Sequence, residues 1–196
     1  MSDAPKGSHE VVESLRQVGL QVGSIWDLVN SKESYPEAIP VLIRLLALDM
    51  DPRIKEGVVR ALSVKEARSV AARPLVEEFL KDTDPDSSLK WAIGNALSVV
   101  ADDTVFEELA ALVLERRYGR SRKMLVEALG NMKNPRAVDV AIRLLDDDEV
   151  VGHALVALRK LRAKAARPLV ESFLNHPVAW IRNEAKQTLR VLDKAR

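Results

Sequence analysis

Ala72-Arg-Pro-Leu-Val-Glu-Glu-Phe-Leu80 and Ala166-Arg-Pro-Leu-Val-Glu-Ser-Phe-Leu174 are nearly the same nine residues, met twice in one chain. Looser copies are Ala38-Ile-Pro-Val-Leu-Ile-Arg-Leu-Leu46 and Ala137-Val-Asp-Val-Ala-Ile-Arg-Leu-Leu145. The faintest runs from Phe106 to Leu114. The copies start at residues 38, 72, 106, 137 and 166, a spacing of 29 to 34 residues. Self-similarity at such a period is the signature of a repeat architecture.

Outward from each copy the pattern is constant. A short polar turn comes next: Asp49 to Pro52, Asp82 to Pro85, Arg116 to Gly119, Asp146 to Glu149 and Asn175 to Pro177. A second apolar stretch then ends in a small residue plus Leu: Ala61-Leu62, Ala96-Leu97, Ala128-Leu129, Ala157-Leu158 and Thr188-Leu189. Ile39, Leu42, Ile43 and Leu46 recur at three- and four-residue steps, the period of an amphipathic helix. No two-residue alternation persists, so strands are not expected. Pro36 and Pro135 stand where a helix begins, and a missing N–H costs little there. Pro40, Pro74 and Pro168 fall at or just past the first turn. Asp and Asn in the turns are suited to cap the helices that follow. Ala92, Ala96, Ala128 and Ala157 allow close helix approach. One helix pair cannot bury its apolar face alone, whereas stacked pairs can.

These residues predict an all-α fold, a right-handed α-α superhelix of about five two-helix repeats. Ahead of it, Val11, Val12, Leu15 and Val18 predict a helix that Gly19 and Gly23 end, and Ser24 to Asn30 predicts a second. Residues 9–35 are therefore expected to form an N-terminal helical cap, with Trp26 in its core, and residues 36–196 the repeats. Residues 1–8 are expected to be a flexible tail, and 9–196 a single domain.

The order Ala-x-Pro-x-Leu, a turn with Asp-Pro, then Ala-Leu resembles HEAT repeats, over about residues 36–192. The short period is similar to the bacterial, phycobilisome-lyase type of HEAT-like repeat. His176-Pro-Val-Ala-Trp-Ile-Arg182-Asn-Glu-Ala-Lys-Gln-Thr-Leu189 carries the Arg typical of the second HEAT helix. The resemblance implies a solenoid whose second helices line a concave face. It does not fix a function, because such folds serve many unrelated roles.

Composition narrows the classes. Hydrophobic residues make up 47% and charged residues 30%, a globular rather than a disordered balance. There is no cysteine, which excludes disulfides, thiolate metal sites and cysteine catalysis and fits a reducing cytoplasm. No apolar run reaches the roughly 20 residues that span a bilayer, so no membrane partner is expected. The net charge of +1 hides an asymmetry: residues 1–115 carry 12 Lys/Arg and 20 Asp/Glu, residues 116–196 carry 18 and 9.

Aligned on their Ala-Leu ends, the second helices place Lys55, Lys90, Arg122, Val151 and Arg182 in one column. On a concave face such a ladder would attract an acidic protein or a phosphate backbone. The alternative comes from the resemblance: this Arg commonly pairs with the inter-helix Asp of a neighbouring unit, a place held here by Asp51, Asp84 and Asp148. In the next column Trp91 and Lys123 stand out, and an exposed Trp is a natural binding anchor. Trp91 could equally pack against the adjacent repeat, and Trp180 could cover the C-terminal end.

Two basic clusters, Arg116 to Lys123 and Arg159 to Arg167, keep nucleic acid in view as a partner. The three histidines, His9, His153 and His176, do not stand at metal-ligand spacing. The several His-Glu pairs of the HEAT-like deoxyhypusine hydroxylases are absent, as are phosphate-binding and nucleophile-elbow motifs. Trp91 and Trp180 with Asp86 and Asp102 do not align with a HEAT-like DNA glycosylase. No cysteine or tight His/Asp cluster supports a bilin lyase. The expectation is a cytoplasmic, non-enzymatic scaffold or adaptor, without metal or cofactor. It would bind a protein through Lys55, Lys90, Trp91, Arg122, Lys123 and Arg182. Nucleic-acid binding through the basic half is the alternative, and head-to-tail self-association a third possibility.

Overall fold

A computed structural model describes residues 5–84 and 87–194. The start of the expected tail, Pro85 of the second turn, and Asp86 lie outside the described residues. The chain divides into two compact units, residues 1–100 and 101–196, each described on its own.

In the N-terminal unit, α1 (Ser8–Gln17) and α2 (Ile25–Val29) precede two helix pairs. These are α3 (Ile39–Leu46) with α4 (Pro52–Ala61), and α5 (Ala72–Lys81) with α6 (Ser88–Val100). First helices pack on first helices and second on second: α1 on α3 and α3 on α5, α2 on α4 and α4 on α6. The cap thus behaves as a shortened repeat, burying Val11, Val12, Leu15, Ile25 and Leu28. Trp26 is only half-buried at its rim. Residues 5–8 are held in place. Asp51 N–H donates to the Lys6 carbonyl at 3.0 Å, and the Lys6 ammonium pairs with Asp49.

The caps follow the local chemistry. Asp51 accepts from the Arg53 N–H at 2.9 Å while Pro52 opens α4, so the ring's missing N–H is one the helix does not need. Ser24 and Asp27 form a capping box on α2. Gly57 leaves room for Ile25: a Cβ there would lie 2.6 Å from Ile25 Cγ2.

The C-terminal unit holds three pairs: α7 (Phe106–Leu114) with α8 (Arg122–Leu129), α9 (Arg136–Arg143) with α10 (Val151–Lys160), and α11 (Arg167–Glu171) with α12 (Ala179–Lys194). Here α7 packs on α9, α8 on α10 and α10 on α12. The turn between α7 and α8 needs Gly119, whose φ of 47° with ψ of −134° suits no side-chain-bearing residue. All five first helices begin within one residue of the repeat starts read from sequence. Ala61, Ala96, Ala128 and Ala157 are fully buried, and Phe79, Leu97, Leu109, Leu129 and Leu155 fill the spaces between helices. Burying each such large side chain stabilises by about 1.5–3 kcal/mol. No strand occurs among the described residues, so the fold is all-α.

Candidate functional site

The basic column begins each second helix, close to where the preceding first helix ends. The last carbonyls of a helix lack intrahelical donors and carry partial negative charge. Lys90 and Arg122 turn to them, and Arg182 to the carbonyls of the turn before its own helix. Lys90 is 1% exposed; its ammonium donates to the Asp82 carbonyl at the end of α5 and lies 4.8 Å from the Phe79 ring centroid. Arg122 is 2% exposed, and its Nη1 donates to the Val113 carbonyl in the last turn of α7 at 3.1 Å. Arg122 Nε donates to Gly119 O at 3.0 Å, and Nη1 also reaches Asp147 Oδ2 at 2.8 Å. Arg182 Nη1 donates to the carbonyls of His176 and Pro177 at 2.7 and 2.8 Å.

Lys55 is held otherwise, 2.7 Å from Oε1 of the buried Glu78 on α5, which Lys81 approaches from its other oxygen. Burial pushes the Asp147 carboxyl up, but the hydrogen bond and charge of Arg122, with the Glu149 N–H and Arg116, outweigh it and hold Asp147 below the usual carboxylate range. Two of the expected carboxylates are placed otherwise than the sequence suggests. Asp51 caps α4, and the described partner of Arg122 is Asp147.

This placement corrects the sequence reading of the ladder as a contact surface. Lys90 and Arg122 have no surface to offer a partner, and Lys55 and Arg182 spend their donors inward. Lys123 remains half-exposed, paired with Glu149 at 3.1 Å.

Trp91, one position beyond Lys90, turns the other way. It is 52% exposed, with the Arg60 guanidinium 5.5 Å from its ring centroid. Arg60 is steadied from α4 itself, its Nε and Nη2 2.8 and 2.7 Å from Glu56 Oε1. Trp91, Arg60, Ser63, Val29, Ala92 and Asn95 line a groove of about 270 Å³. A second, of about 300 Å³, shares Val29, Arg60 and Ser63 and continues to Lys32 and Tyr35, whose hydroxyl donates to the Ala61 carbonyl at 3.0 Å. One apolar platform flanked by a cation, a hydroxyl and an amide is suited to a protein side chain with a flat apolar body and a polar end. Arg60, Ser63 and Asn95 escaped the sequence reading. Only the spacing of Glu56 to Arg60 and of Trp91 to Asn95, one helical turn each, could have pointed to them.

The basic clusters are largely paired. Arg116 lies 3.6 Å from Asp147, and Arg117 lies 3.8 Å from Glu115. Arg159 pairs with Glu184, and Arg167 meets Glu171 and Asp193 at 2.6 and 2.7 Å. The charge asymmetry also softens at the observed boundary. Residues 1–100 carry 12 Lys/Arg and 15 Asp/Glu, net −3, and residues 101–196 carry 18 and 14, net +4. The acidic stretch from Asp102 to Glu115 belongs to the basic unit, where Glu107 pairs with Arg136 and Asp103 accepts from the N–H groups of Lys133 and Asn134.

The comparisons agree on the class. The family model of HEAT repeats matches residues 106–190, from α7 through most of α12. A crystal structure of an engineered protein from the Northeast Structural Genomics Consortium superposes with a TM-score of 0.55 at 18% identity, covering 95% of this chain and 99% of that one. A second engineered protein from the same consortium gives 0.56 at 19%, with 94% and 96% covered. A designed armadillo repeat protein gives 0.53 at 18%, with 93% and 99% covered. No curated protein matches the chain. The C-terminal part of the chain is thus similar to HEAT repeats, and the fold is of the armadillo/HEAT solenoid class. No helix among the described residues is long and apolar enough to cross a membrane.

Proposed function

We propose that this chain is a non-catalytic protein-binding scaffold or adaptor that takes its partner on the second helices of the N-terminal unit, with Trp91 as anchor. The half-exposed Trp91 ring beside its groove carries the reading. A large aromatic left open to water next to a concavity is the kind of residue on which binding energy concentrates. Arg60 and the exposed Lys32 line the adjoining groove together with Glu33 and Glu66, so a partner meets both signs of charge beside the Trp91 platform. HEAT repeats in general serve protein binding, which supports the class of function. The period of 29 to 34 residues supports the short, phycobilisome-lyase-type variety of bacteria, and the lack of cysteine supports a cytoplasmic setting.

The test is capture from a bacterial lysate with the wild type and with Trp91→Ala, washed at low and high salt. A discrete protein retained at high salt by the wild type and lost by the variant is the expected result. Equal capture by both would remove Trp91 as the anchor. Nucleic acid held only at low salt would instead favour the basic C-terminal unit.

A further inference from the structure

The C-terminal unit contains a titratable cluster that plays no part in the proposed binding surface. His153 on α10 and Glu127 on α8 are both largely buried, with Nδ1 2.9 Å from Oε1. The indole of Trp180, at the start of α12, covers the imidazole with ring centroids 5.0 Å apart and planes inclined at 54°. Gly152 makes that seat: a Cβ there would fall 1.9 Å from Cζ3 of Trp180. One imidazole therefore touches two neighbouring second helices at once.

We propose that His153 is a proton-operated clasp, whose protonation tightens α12 against α10 and α8 and fixes Trp180 in its seat. Imidazole is the side chain that changes charge between about pH 5 and 8. Neutral His153 reaches Glu127 through an ordinary N–H donor. The imidazolium adds a full positive charge to that contact, turning a hydrogen bond to a carboxylate into an ion pair. It also places a cation beside the tilted Trp180 ring, 5.0 Å centroid to centroid, within reach of an aromatic quadrupole.

The surrounding charges permit the change. On α8, Lys123 pairs with Glu149 beside α10, and on α10 Arg159 pairs with Glu184 of α12, so both cations are offset. Lys160 is the competitor, 3.9 Å from the other oxygen of Glu127 and 3.4 Å from its carbonyl. Arg182 of α12 is turned to its own turn's carbonyls. Glu127 is held below the ordinary carboxylate range, chiefly by the hydrogen bond from His153, so it is ionised throughout the imidazole's range.

Hydrogen exchange of the intact chain tests this, read on α12 amides at pH 5.5 and pH 8 after correction for intrinsic rates. The wild type is expected to protect α12 about threefold or more better at pH 5.5. His153→Gln keeps a donor for Glu127 but cannot titrate, and should lose the difference. The other histidines are unchanged in the variant, so the comparison isolates residue 153. If circular dichroism shows His153→Gln unfolded, Glu127→Gln reads the same clasp with the imidazole and Gly152 intact, and should also flatten the response. No pH effect in the wild type, or an undiminished effect in the variant that folds, overturns the proposal.

Discussion

Single side chains decide which way each second helix faces. Lys90 and Trp91 are neighbours in sequence, yet one is 1% and the other 52% exposed. The long cationic side chain of Lys90 reaches the carbonyl of Asp82 at the end of the preceding helix, while the Trp91 side chain, about 100° further round α6, faces the groove. Lys123 illustrates the weak end of the scale. Its pair with Glu149 is half in water, so Lys123→Ala should change stability by no more than about 0.5–1 kcal/mol in chemical denaturation. The Asp147 carboxyl is lowered by Arg122 against the opposing effect of burial, and the Glu127 carboxyl chiefly by the hydrogen bond from His153. Each therefore contributes stability that is fully present above the ordinary carboxylate range and is lost as pH falls through its lowered folded-state value. A melting-temperature series should stay level from neutral pH down to about pH 5 with respect to these two groups, then decline. Asp147→Asn should shrink that acid decline, and an unchanged acid limb would mean the Arg122 pair is not carrying it.

At the scale of elements, near-identical sequence gives different helices. The copy at 72–80 forms the ten-residue α5, whereas the copy at 166–174 forms the five-residue α11 followed by a 3₁₀ stretch, Ser172–Asn175. The decisive difference is Glu78 against Ser172. Glu78 is anchored by Lys55 and Lys81, while the Ser172 hydroxyl bonds back to the Leu169 carbonyl at 2.7 Å, competing with regular α-helical geometry. Phe79 is fully buried between neighbours, but Phe173 is only half-covered, so less packing holds α11 regular. Helix contacts are equally specific. Gly152→Ala must displace Trp180 and should cost about 1–3 kcal/mol, with altered tryptophan fluorescence. A silent substitution would show that the indole is not seated there.

Over the whole chain, class and repeat number were legible because apolar periodicity and small-plus-Leu helix ends are written in side chains. The candidate site was not. The column of basic residues is visible in sequence, but its acceptors are mostly backbone carbonyls, which leave no mark in it. Sequence alone therefore leaves Lys90 and Arg122 open between surface ligands and internal ties, and their burial makes them ties. Trp91 was readable as a residue of interest, but its exposure depends on how α4 and α6 meet. The charge asymmetry read at residue 115 also misled, because the carboxylates from Asp102 to Glu115 fold with the basic residues that follow them. With so many cations paired, affinity for duplex DNA should be weak at physiological salt, with a shallow dependence of binding on salt concentration. A steep salt slope in a filter-binding titration would show that many phosphates are contacted after all.

The most direct measurement sets inside against outside: urea denaturation of Arg122→Met and Trp91→Ala beside the wild type. Arg122→Met leaves Asp147 and two carbonyls without their donor, so its unfolding free energy should fall by about 3–5 kcal/mol. Trp91→Ala, with half its surface already in water, should lose no more than about 1 kcal/mol. The reverse order, a tolerant Arg122 and a costly Trp91, would contradict the assignment of the basic column to the fold and of Trp91 to recognition.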